Sequence, residues 1–178
     1  MKVLVISTSL RVGSNSEMLA DEFAKGAADA GHDVEKISLM GKKIEYCIGC
    51  LDCQKTGKCV TDDDMTEINK KIRSADVIAF ATPIYYYEMS GQMKTLLDRA
   101  NPLYGAHYNF RRVYMLSTAA EYDEAVPYRA IAGLCGWIEC FPKAKFAGSV
   151  FVGGVNEPGE IAGSSKLRSA YDAGRSVK

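Results

Sequence analysis

The chain alternates between short apolar segments and longer amphipathic segments, and this alternation limits the folds it can adopt. Most of the apolar segments are rich in Val, Ile and Phe without polar residues at every second position, which is typical of parallel strands covered on both faces by helices. One of them, Asp33–Ser38, alternates more regularly and is predicted to lie at an edge of the sheet. The predicted strands are Lys2–Ser7, Asp33–Ser38, Val77–Ala81, Val113–Ser117 and Gly148–Val152.

Helices are predicted between these strands. The first, Ser14–Ala30, begins with the Ser14-x-x-Glu17 spacing of a capping box and ends before Gly31. Others are predicted to begin near Asp64, Ser90, Pro127 and Gly159. Five successive βα units imply a doubly wound α/β fold, with a parallel sheet and helices on both faces. No linker or repeat interrupts the pattern, so residues 1–178 are predicted to form one domain.

Composition excludes several classes of partner. The numbers of basic and acidic residues are equal, at 22 each, which argues against a nucleic-acid surface. The apolar run Val3–Ile6 is too short for a signal peptide or a membrane span. We therefore expect a cytoplasmic protein without a membrane partner, whose six cysteines remain thiols.

Ligands of doubly wound sheets bind beyond the carboxyl ends of the strands, so the loops there are the candidate site. The loop after the first strand combines hydroxyl and amide side chains and one arginine with the N-terminus of the first helix. This combination can hold a phosphate monoester, although an N-capped helix with a polar loop explains it as well. The candidate residues are Ser9, Arg11, Ser14, Asn15 and Ser16.

Two further loops should meet the first one. Thr82–Ser90 contains three consecutive tyrosines, at least one of which should face the cleft and provide a wall for a flat conjugated ring. Core or interface tyrosines are the alternative interpretation. The loop from Ser117 to Asp123 is small and polar. Because neither a Walker A motif nor G-x-G-x-x-G is present, nucleoside triphosphate and Rossmann dinucleotide sites are disfavoured.

Four cysteines lie close together in a loop at about residues 44–63. They are Cys47, Cys50, Cys53 and Cys59, with the spacing C-x2-C-x2-C-x5-C. Four thiolates can hold an iron–sulfur cluster or a zinc ion, and ligand type alone does not choose between these and free thiols. All three interpretations stay open from the spacing.

Three motifs occur in order along nearly the whole chain: S-x-R-x-x-S-N-S, T-P-I-Y-Y-Y with Lys94 and Asp98-Arg99 behind it, and the cysteine motif followed by V-T-D-D-D-M. Together they resemble the flavodoxin-fold NADPH-dependent FMN reductases, and in particular their iron–sulfur flavoprotein branch. The resemblance implies a flavodoxin-like five-stranded sheet of order 2-1-3-4-5. It also implies FMN, NAD(P)H as electron donor, and a homodimer or homotetramer.

The resemblance further implies a role for individual residues. The phosphate of FMN would bind Ser9, Arg11, Ser14, Asn15 and Ser16. The flavin ring would lie against Pro83, Ile84, Tyr85 and Tyr86, with Ser117 and Thr118 on the third loop. The four cysteines would ligate a 4Fe-4S cluster. No catalytic side chain is required, because the cofactor carries the chemistry.

The expected function is therefore an FMN-dependent NAD(P)H oxidoreductase. The electron acceptor would be a quinone, a nitro compound, a flavin or a redox protein reached through a cluster. Two alternatives come from other classes: a non-enzymatic electron carrier of the flavodoxin type, and a structural zinc module without a cofactor.

Overall fold

A computed structural model describes all 178 residues and contains one sheet of six strands. Five of the strands are parallel and follow the order β2-β1-β3-β5-β6, while β4 pairs with β3 in the antiparallel direction. The strands are β1 Lys2–Ser7, β2 Asp33–Ser38, β3 Val77–Tyr85, β4 Glu88–Met89, β5 Arg112–Thr118 and β6 Lys145–Val152.

The predicted flavodoxin-like fold and the edge position of β2 are confirmed. The predicted order 2-1-3-4-5 counted five long strands. The structure adds the two-residue strand β4, so the last two parallel strands are β5 and β6. Strand β3 is also longer than predicted, because a hairpin with β4 extends it from Ala81 to Tyr85.

Six α-helices cover the sheet: α1 Asn15–Asp29, α2 Asp52–Thr56, α3 Met65–Ser74, α4 Gly91–Arg99, α5 Tyr128–Glu139 and α6 Ser165–Arg175. A 3₁₀ turn, Asn101–Leu103, follows α4. The prediction of a last helix from Gly159 is wrong at its start. Gly159 and Gly163 have φ angles of 82° and 84°, and Ser164 caps the helix by accepting a hydrogen bond from Lys166 N. None of the helices is both long enough and apolar enough to cross a membrane.

The apolar core has two parts, one on each face of the sheet. The larger part lies under α3, α4 and α5 and includes Phe80, Phe110 and Leu134. The smaller part lies under α1 and α6 and includes Phe23 and Ala170. Burial of both faces accounts for the continuous apolar character of the central strands.

Helices α1 and α6 approach each other through glycine. A Cβ atom built on Gly174 would lie 2.0 Å from the carbonyl oxygen of Phe23, and one on Gly26 would lie 2.0 Å from that of Tyr171. No other residue fits at this contact without moving a helix. The close packing holds α1 and its N-terminus in place at the carboxyl edge of the sheet.

Candidate functional site

A cleft opens at the carboxyl edge of the sheet, where the loops after β1, β3 and β5 meet as predicted. Nine of the eleven predicted cofactor-binding residues line it: Ser9, Arg11, Ser14, Asn15, Ser16, Pro83, Ile84, Tyr85 and Thr118. Ala119, Ala120, Val155, Asn156 and Pro158 complete the lining. Tyr86 and Ser117 do not contribute to it.

The loop after β1 ends in the N-terminus of α1. Ser14 caps the helix, since its Oγ accepts a hydrogen bond of 3.2 Å from Glu17 N. Asn15 and Ser16 are the first two helical residues, so their N–H groups have no acceptor within the helix. The Ser16 hydroxyl is buried and has no hydrogen-bond partner. This end of the cleft thus offers several donors and the positive end of a helix dipole.

Glu17 does not compete with an anion in this cleft. Its carboxylate forms an ion pair with Lys36 of β2, with 3.3 Å between Oε1 and Nζ. Of the two hydrogen bonds of the predicted capping box, only the one from Glu17 N to Ser14 Oγ forms. The Glu17 carboxylate pairs with Lys36 instead of accepting from the Ser14 N–H group.

A fourth loop, which follows β6, was not predicted to take part. The Asn15 side chain donates to Glu157 O at 2.9 Å and accepts from Ile161 N at 3.1 Å. Arg11 donates to Asn156 O at 2.8 Å and lies 3.4 Å from the Glu157 carboxylate. Asn15 and Arg11 thus hold this loop against the cleft. The signal available in the sequence was that the last parallel strand ends at the same edge as the others.

Two glycines let the fourth loop approach the third. A Cβ atom on Gly153 would lie 2.3 Å from Glu121 O, and one on Gly154 would lie 2.1 Å from the Tyr122 ring. Gly154 also has a φ of 75°. Backbone hydrogen bonds from Gly154 N to Glu121 O and from Val155 N to Ala119 O join the two loops. The close contact between the third and fourth loops therefore depends on glycine at both positions.

The tyrosines of the second loop have different surroundings. Tyr85 is half exposed and lines the cleft. Tyr86 is 99% exposed and lies outside it, while Tyr87 packs beside the Arg129 guanidinium at 5.8 Å. Both Tyr86 and Tyr87 have positive φ angles, of 51° and 65°. The hairpin turn directs Tyr86 into solvent, which explains why it is absent from the cleft.

The third loop contributes Thr118 and the alanines that follow. Ser117, the residue before Thr118, is fully buried, and its hydroxyl has no hydrogen-bond partner. The alternation of side chains along β5 accounts for this difference, because adjacent residues of a strand face opposite sides.

The four cysteines lie in the long connection between β2 and α3, and all four line one cavity. Cys53 is buried, Cys59 is partly buried, and Cys47 and Cys50 are exposed. None of them forms a disulfide. No three ligating side chains are grouped closely enough to hold a metal ion. The short helix α2, which the sequence did not predict, carries Cys53.

A buried ion pair closes the base of this cysteine loop. Arg99, at the end of α4, makes hydrogen bonds of 2.7 and 2.9 Å to the two carboxylate oxygens of Asp63. It also donates to Glu45 O at 2.6 Å and to Thr61 O at 3.3 Å. By contrast, Lys94 and Asp98 on the same helix form an exposed pair.

Charge and hydrogen bonding shift the pKa values of this pair. Burial alone would raise the pKa of Asp63, but hydrogen bonds from Arg99 and from the N–H groups of Glu45 and Met65 outweigh it and lower the pKa below 3.8. Burial acts to lower the pKa of Arg99, but Asp63 and, to a smaller extent, Cys59 raise it. Both side chains are therefore charged at neutral pH.

The family of the chain follows from comparison with known proteins. Residues 1–127 match the family described as NADPH-dependent FMN reductase. This chain belongs to that family. The matched residues include the first three loops of the cleft and the cysteine loop.

Several curated relatives carry the name iron–sulfur flavoprotein. One from Archaeoglobus fulgidus is 32% identical over 164 residues, which cover 92% of this chain and 60% of the relative. Another, from Methanocaldococcus jannaschii, is 43% identical over 103 residues, covering 58% of this chain and 53% of the relative. The chain thus spans between half and two thirds of the length of these relatives.

Solved structures share the fold of this FMN reductase family member at low identity. An NAD(P)H:quinone oxidoreductase from Methanothermobacter marburgensis superposes with a TM-score of 0.77 and 20% identity, covering 100% of this chain and 99% of that one. A flavone reductase gives a TM-score of 0.75 at 21% identity, covering 98% of this chain and 61% of that one. These similarities confirm the fold.

The residues present fit the cofactor in the family's description. A phosphate monoester needs donors at a helix N-terminus, and the unpartnered Ser16 hydroxyl is one that a ligand can satisfy. For an iron–sulfur cluster the donor chemistry also fits, because four thiols line one cavity. Loading a cluster would have to draw the exposed Cys47 and Cys50 toward Cys53 and Cys59.

Proposed function

We propose that this chain is an FMN-dependent NAD(P)H oxidoreductase whose flavin binds in the cleft at the carboxyl edge of the sheet. The observation that carries the proposal is the buried, unpartnered Ser16 hydroxyl at the N-terminus of α1, in a cleft that also contains Arg11. A buried polar atom without a partner is costly, so its presence favours a ligand that satisfies it.

The phosphate of FMN is assigned to Ser9, Arg11, Ser14, Asn15 and Ser16. The Asn15 side chain is already used to hold the fourth loop, so its contribution would come from its N–H group. Arg11 uses two of its donors on Asn156 and Glu157, which leaves others for an anion. A phosphate dianion at this position would also interact favourably with the helix dipole.

The flavin ring is assigned to the wall formed by Pro83, Ile84 and Tyr85, together with Thr118 of the third loop, all of which line the cleft. A half-exposed tyrosine provides an apolar face and keeps its hydroxyl in water. Tyr86 and Ser117 do not line the cleft and remain predictions of the resemblance. When bound, FMN would supply the redox chemistry, in which a reduced nicotinamide gives a hydride and an acceptor receives the electrons.

We also propose that Cys47, Cys50, Cys53 and Cys59 ligate a 4Fe-4S cluster. Two observations support this: the relatives named iron–sulfur flavoprotein, and the cavity lined by all four thiols. When bound, such a cluster supplies transfer of single electrons. With it the acceptor would be a redox protein, and without it a quinone, a nitro compound or free flavin. A homodimer or homotetramer in the cytoplasm completes the proposal.

Anaerobic titration with FMN tests the cofactor assignment. We expect stoichiometric uptake of FMN and much weaker uptake of riboflavin, because riboflavin lacks the phosphate that the first loop would bind. Equal affinities would contradict the placement of the phosphate. Absence of binding to both would refute the flavin assignment itself.

Addition of NADPH under argon separates the enzyme from its alternative. Rapid bleaching of the bound flavin is expected for an oxidoreductase. A protein that is reduced by dithionite but not by NADPH or NADH would be a carrier of the flavodoxin type. A colourless protein with one zinc per chain would instead support a structural zinc module.

A further inference from the structure

The end of helix α4 lies beneath the cysteine loop and is bonded to both of its ends. Arg99 binds the carbonyl oxygen of Glu45, two residues before Cys47, and that of Thr61, two residues after Cys59. Asp63 fixes the guanidinium with two hydrogen bonds and also accepts one of 2.9 Å from Glu45 N. These contacts connect the start of the loop, its end and the core helix at one point.

Apolar packing does little to hold this loop. Between residues 44 and 60 only Cys53 is buried, and Tyr46, Ile48, Leu51 and Val60 are all more than half exposed. The Arg99 and Asp63 side chains, in contrast, are 1% and 2% exposed. The buried ion pair is therefore the main fixed point of the loop.

The same segment brings two side chains with N–H donors, Arg99 and Asn101, to the cavity that the four cysteines line. Asn101 Nδ2 donates to Cys53 Sγ at 3.2 Å. Arg99 Nε is buried without a hydrogen-bond partner, and Arg99 and Cys59 line the same cavity. A buried N–H group beside a sulfur has an evident acceptor once that sulfur carries negative charge.

We propose that Arg99 and Asn101 are positioning residues for the iron–sulfur cluster: Arg99 holds the two ends of the cysteine loop together, and N–H groups of Arg99 and Asn101 donate to the sulfurs of Cys59 and Cys53. The inference rests on the proposed cluster. Hydrogen bonds to cluster sulfurs stabilise the reduced, more negative state and raise its reduction potential. Arg99 thus affects both the retention of the cluster and its potential, whereas Asn101 affects the potential alone.

The test compares three variants after anaerobic reconstitution with ferrous iron and sulfide. Arg99→Lys keeps the charge but cannot make the same set of directed hydrogen bonds. Asn101→Leu removes only the donor to Cys53. Arg168→Lys is the control, because Arg168 forms an exposed pair with Asp172 on α6, far along the chain from the cysteines.

Arg99→Lys is expected to lose its iron to a chelator more readily, with an affinity lower by about 10- to 100-fold, as found when partners of metal ligands are changed. Asn101→Leu is expected to keep its iron while its midpoint potential shifts to a more negative value. Arg168→Lys should match the wild type in both measurements. If the wild type loads a cluster and both Arg99→Lys and Asn101→Leu behave like it, the inference is overturned while the proposed function stands.

A second measurement works without a cluster. Lys55 and Lys58 are exposed trypsin sites within the loop. If Arg99 holds the loop, cleavage there should be faster in metal-free Arg99→Lys than in the metal-free wild type, at equal helix content by circular dichroism. Equal cleavage would overturn the loop-closing role.

Failure of the wild type to take up iron and sulfide would instead refute the proposed cluster, and with it the roles assigned at the sulfurs. Should Arg99→Lys fail to fold, the potential of Asn101→Leu still decides whether the donor acts on the cluster.

Discussion

The Asp63 carboxylate accepts two hydrogen bonds from the Arg99 guanidinium, at 2.7 and 2.9 Å, in a pair almost completely shielded from solvent. The carboxylate also accepts from the N–H groups of Glu45 and Met65. A charged pair of this kind is stable only when its remaining polar atoms are satisfied, and here the surrounding backbone satisfies most of them. The ion pair therefore fixes the position of the cysteine loop relative to the core.

Removal of Asp63 should be costly. We expect Asp63→Ala to lower the free energy of unfolding by about 3–5 kcal/mol, because it leaves the Arg99 charge buried and unpaired. Asp98→Ala is the matched control, since Asp98 lies in an exposed pair with Lys94 and should cost less than about 1 kcal/mol. Urea unfolding of both variants measures the difference. Similar losses in the two would contradict the assigned burial.

The same pair predicts a pH dependence. The pKa of Asp63 in the folded chain lies below its ordinary value of 3.8, so the folded state binds its proton more weakly than the unfolded state does. The stability that Asp63 contributes is therefore fully present above pH 3.8 and is lost as the pH falls through the lower, folded value.

Urea midpoints of the wild type and Asp63→Asn, measured at a series of pH values, isolate this effect. Asp64 and Glu160, whose pKa values are also lowered, are common to both proteins and cancel in the difference. The difference in stability should be constant near neutral pH and should shrink in acid. A difference that grows on acidification would show that Asp63 has the opposite shift.

The positions of the strands and the meeting of three loops could be predicted from the sequence. The side-chain contacts that hold the cysteine loop and the fourth loop in place could not. Strands β1 and β2 have the predicted bounds, β1 because its apolar run ends at polar residues and β2 because of its alternating pattern. The topology rule predicted that the three loops meet at one edge, and the family resemblance named the individual flavin-contacting residues among the nine that line the cleft.

Arg99 illustrates why these side-chain contacts could not be predicted. In the sequence it stands beside Asp98 and resembles an exposed helix residue, and Asp63 belongs to an acidic run that a helix N-terminus explains. Their pairing spans 36 residues and exists only after α3 and α4 pack together. The fourth loop was missed for a similar reason, because the contacts of Asn15 and Arg11 with it cross more than 140 residues.

Ser16 offers a test in which stability and cofactor affinity respond differently. Its buried hydroxyl has no partner, so Ser16→Ala should leave the free energy of unfolding of the FMN-free chain unchanged or raise it by up to about 1 kcal/mol. The same change should weaken FMN binding by roughly 10-fold or more, because a hydrogen bond to a charged phosphate is lost. Fluorescence titration and urea unfolding provide the two measurements.

Ser14→Ala is the control for this prediction. Ser14 caps α1, so its removal should destabilise the FMN-free chain by about 1 kcal/mol. Loss of stability in Ser16→Ala without any change in FMN affinity would mean that the hydroxyl serves the fold and not a ligand.

The contact between α1 and α6 predicts that Gly174 cannot be replaced. A Cβ atom there would meet the Phe23 carbonyl oxygen at 2.0 Å, so Gly174→Ala must push the helices apart and should cost about 1–3 kcal/mol or more. Gly136 is the control, because it is a helical glycine with no atom within 4 Å of its Cβ position. Gly136→Ala should raise stability by about 0.5–1 kcal/mol. Effects of the same sign on the thermal midpoint would contradict the close approach.

The hairpin turn between β3 and β4 predicts a gain in stability. Tyr86 and Tyr87 form its two-residue loop with positive φ at both positions, a conformation that Asn and Gly adopt more readily. Replacing both, as Tyr86→Asn with Tyr87→Gly, should relieve about 1–2 kcal/mol per residue of backbone strain. The change loses about 0.5–1 kcal/mol from the contact of Tyr87 with Arg129, so a net gain in stability is expected.

Tyr104→Asn is the control, because Tyr104 is also about half exposed but has a φ of −64° and no strain to relieve. FMN affinity should persist in the double variant, since Tyr85 is the tyrosine of this turn that lines the cleft. If the double variant is less thermally stable than the wild type, or binds FMN more weakly, then Tyr86 or Tyr87 makes contacts that a single subunit lacks.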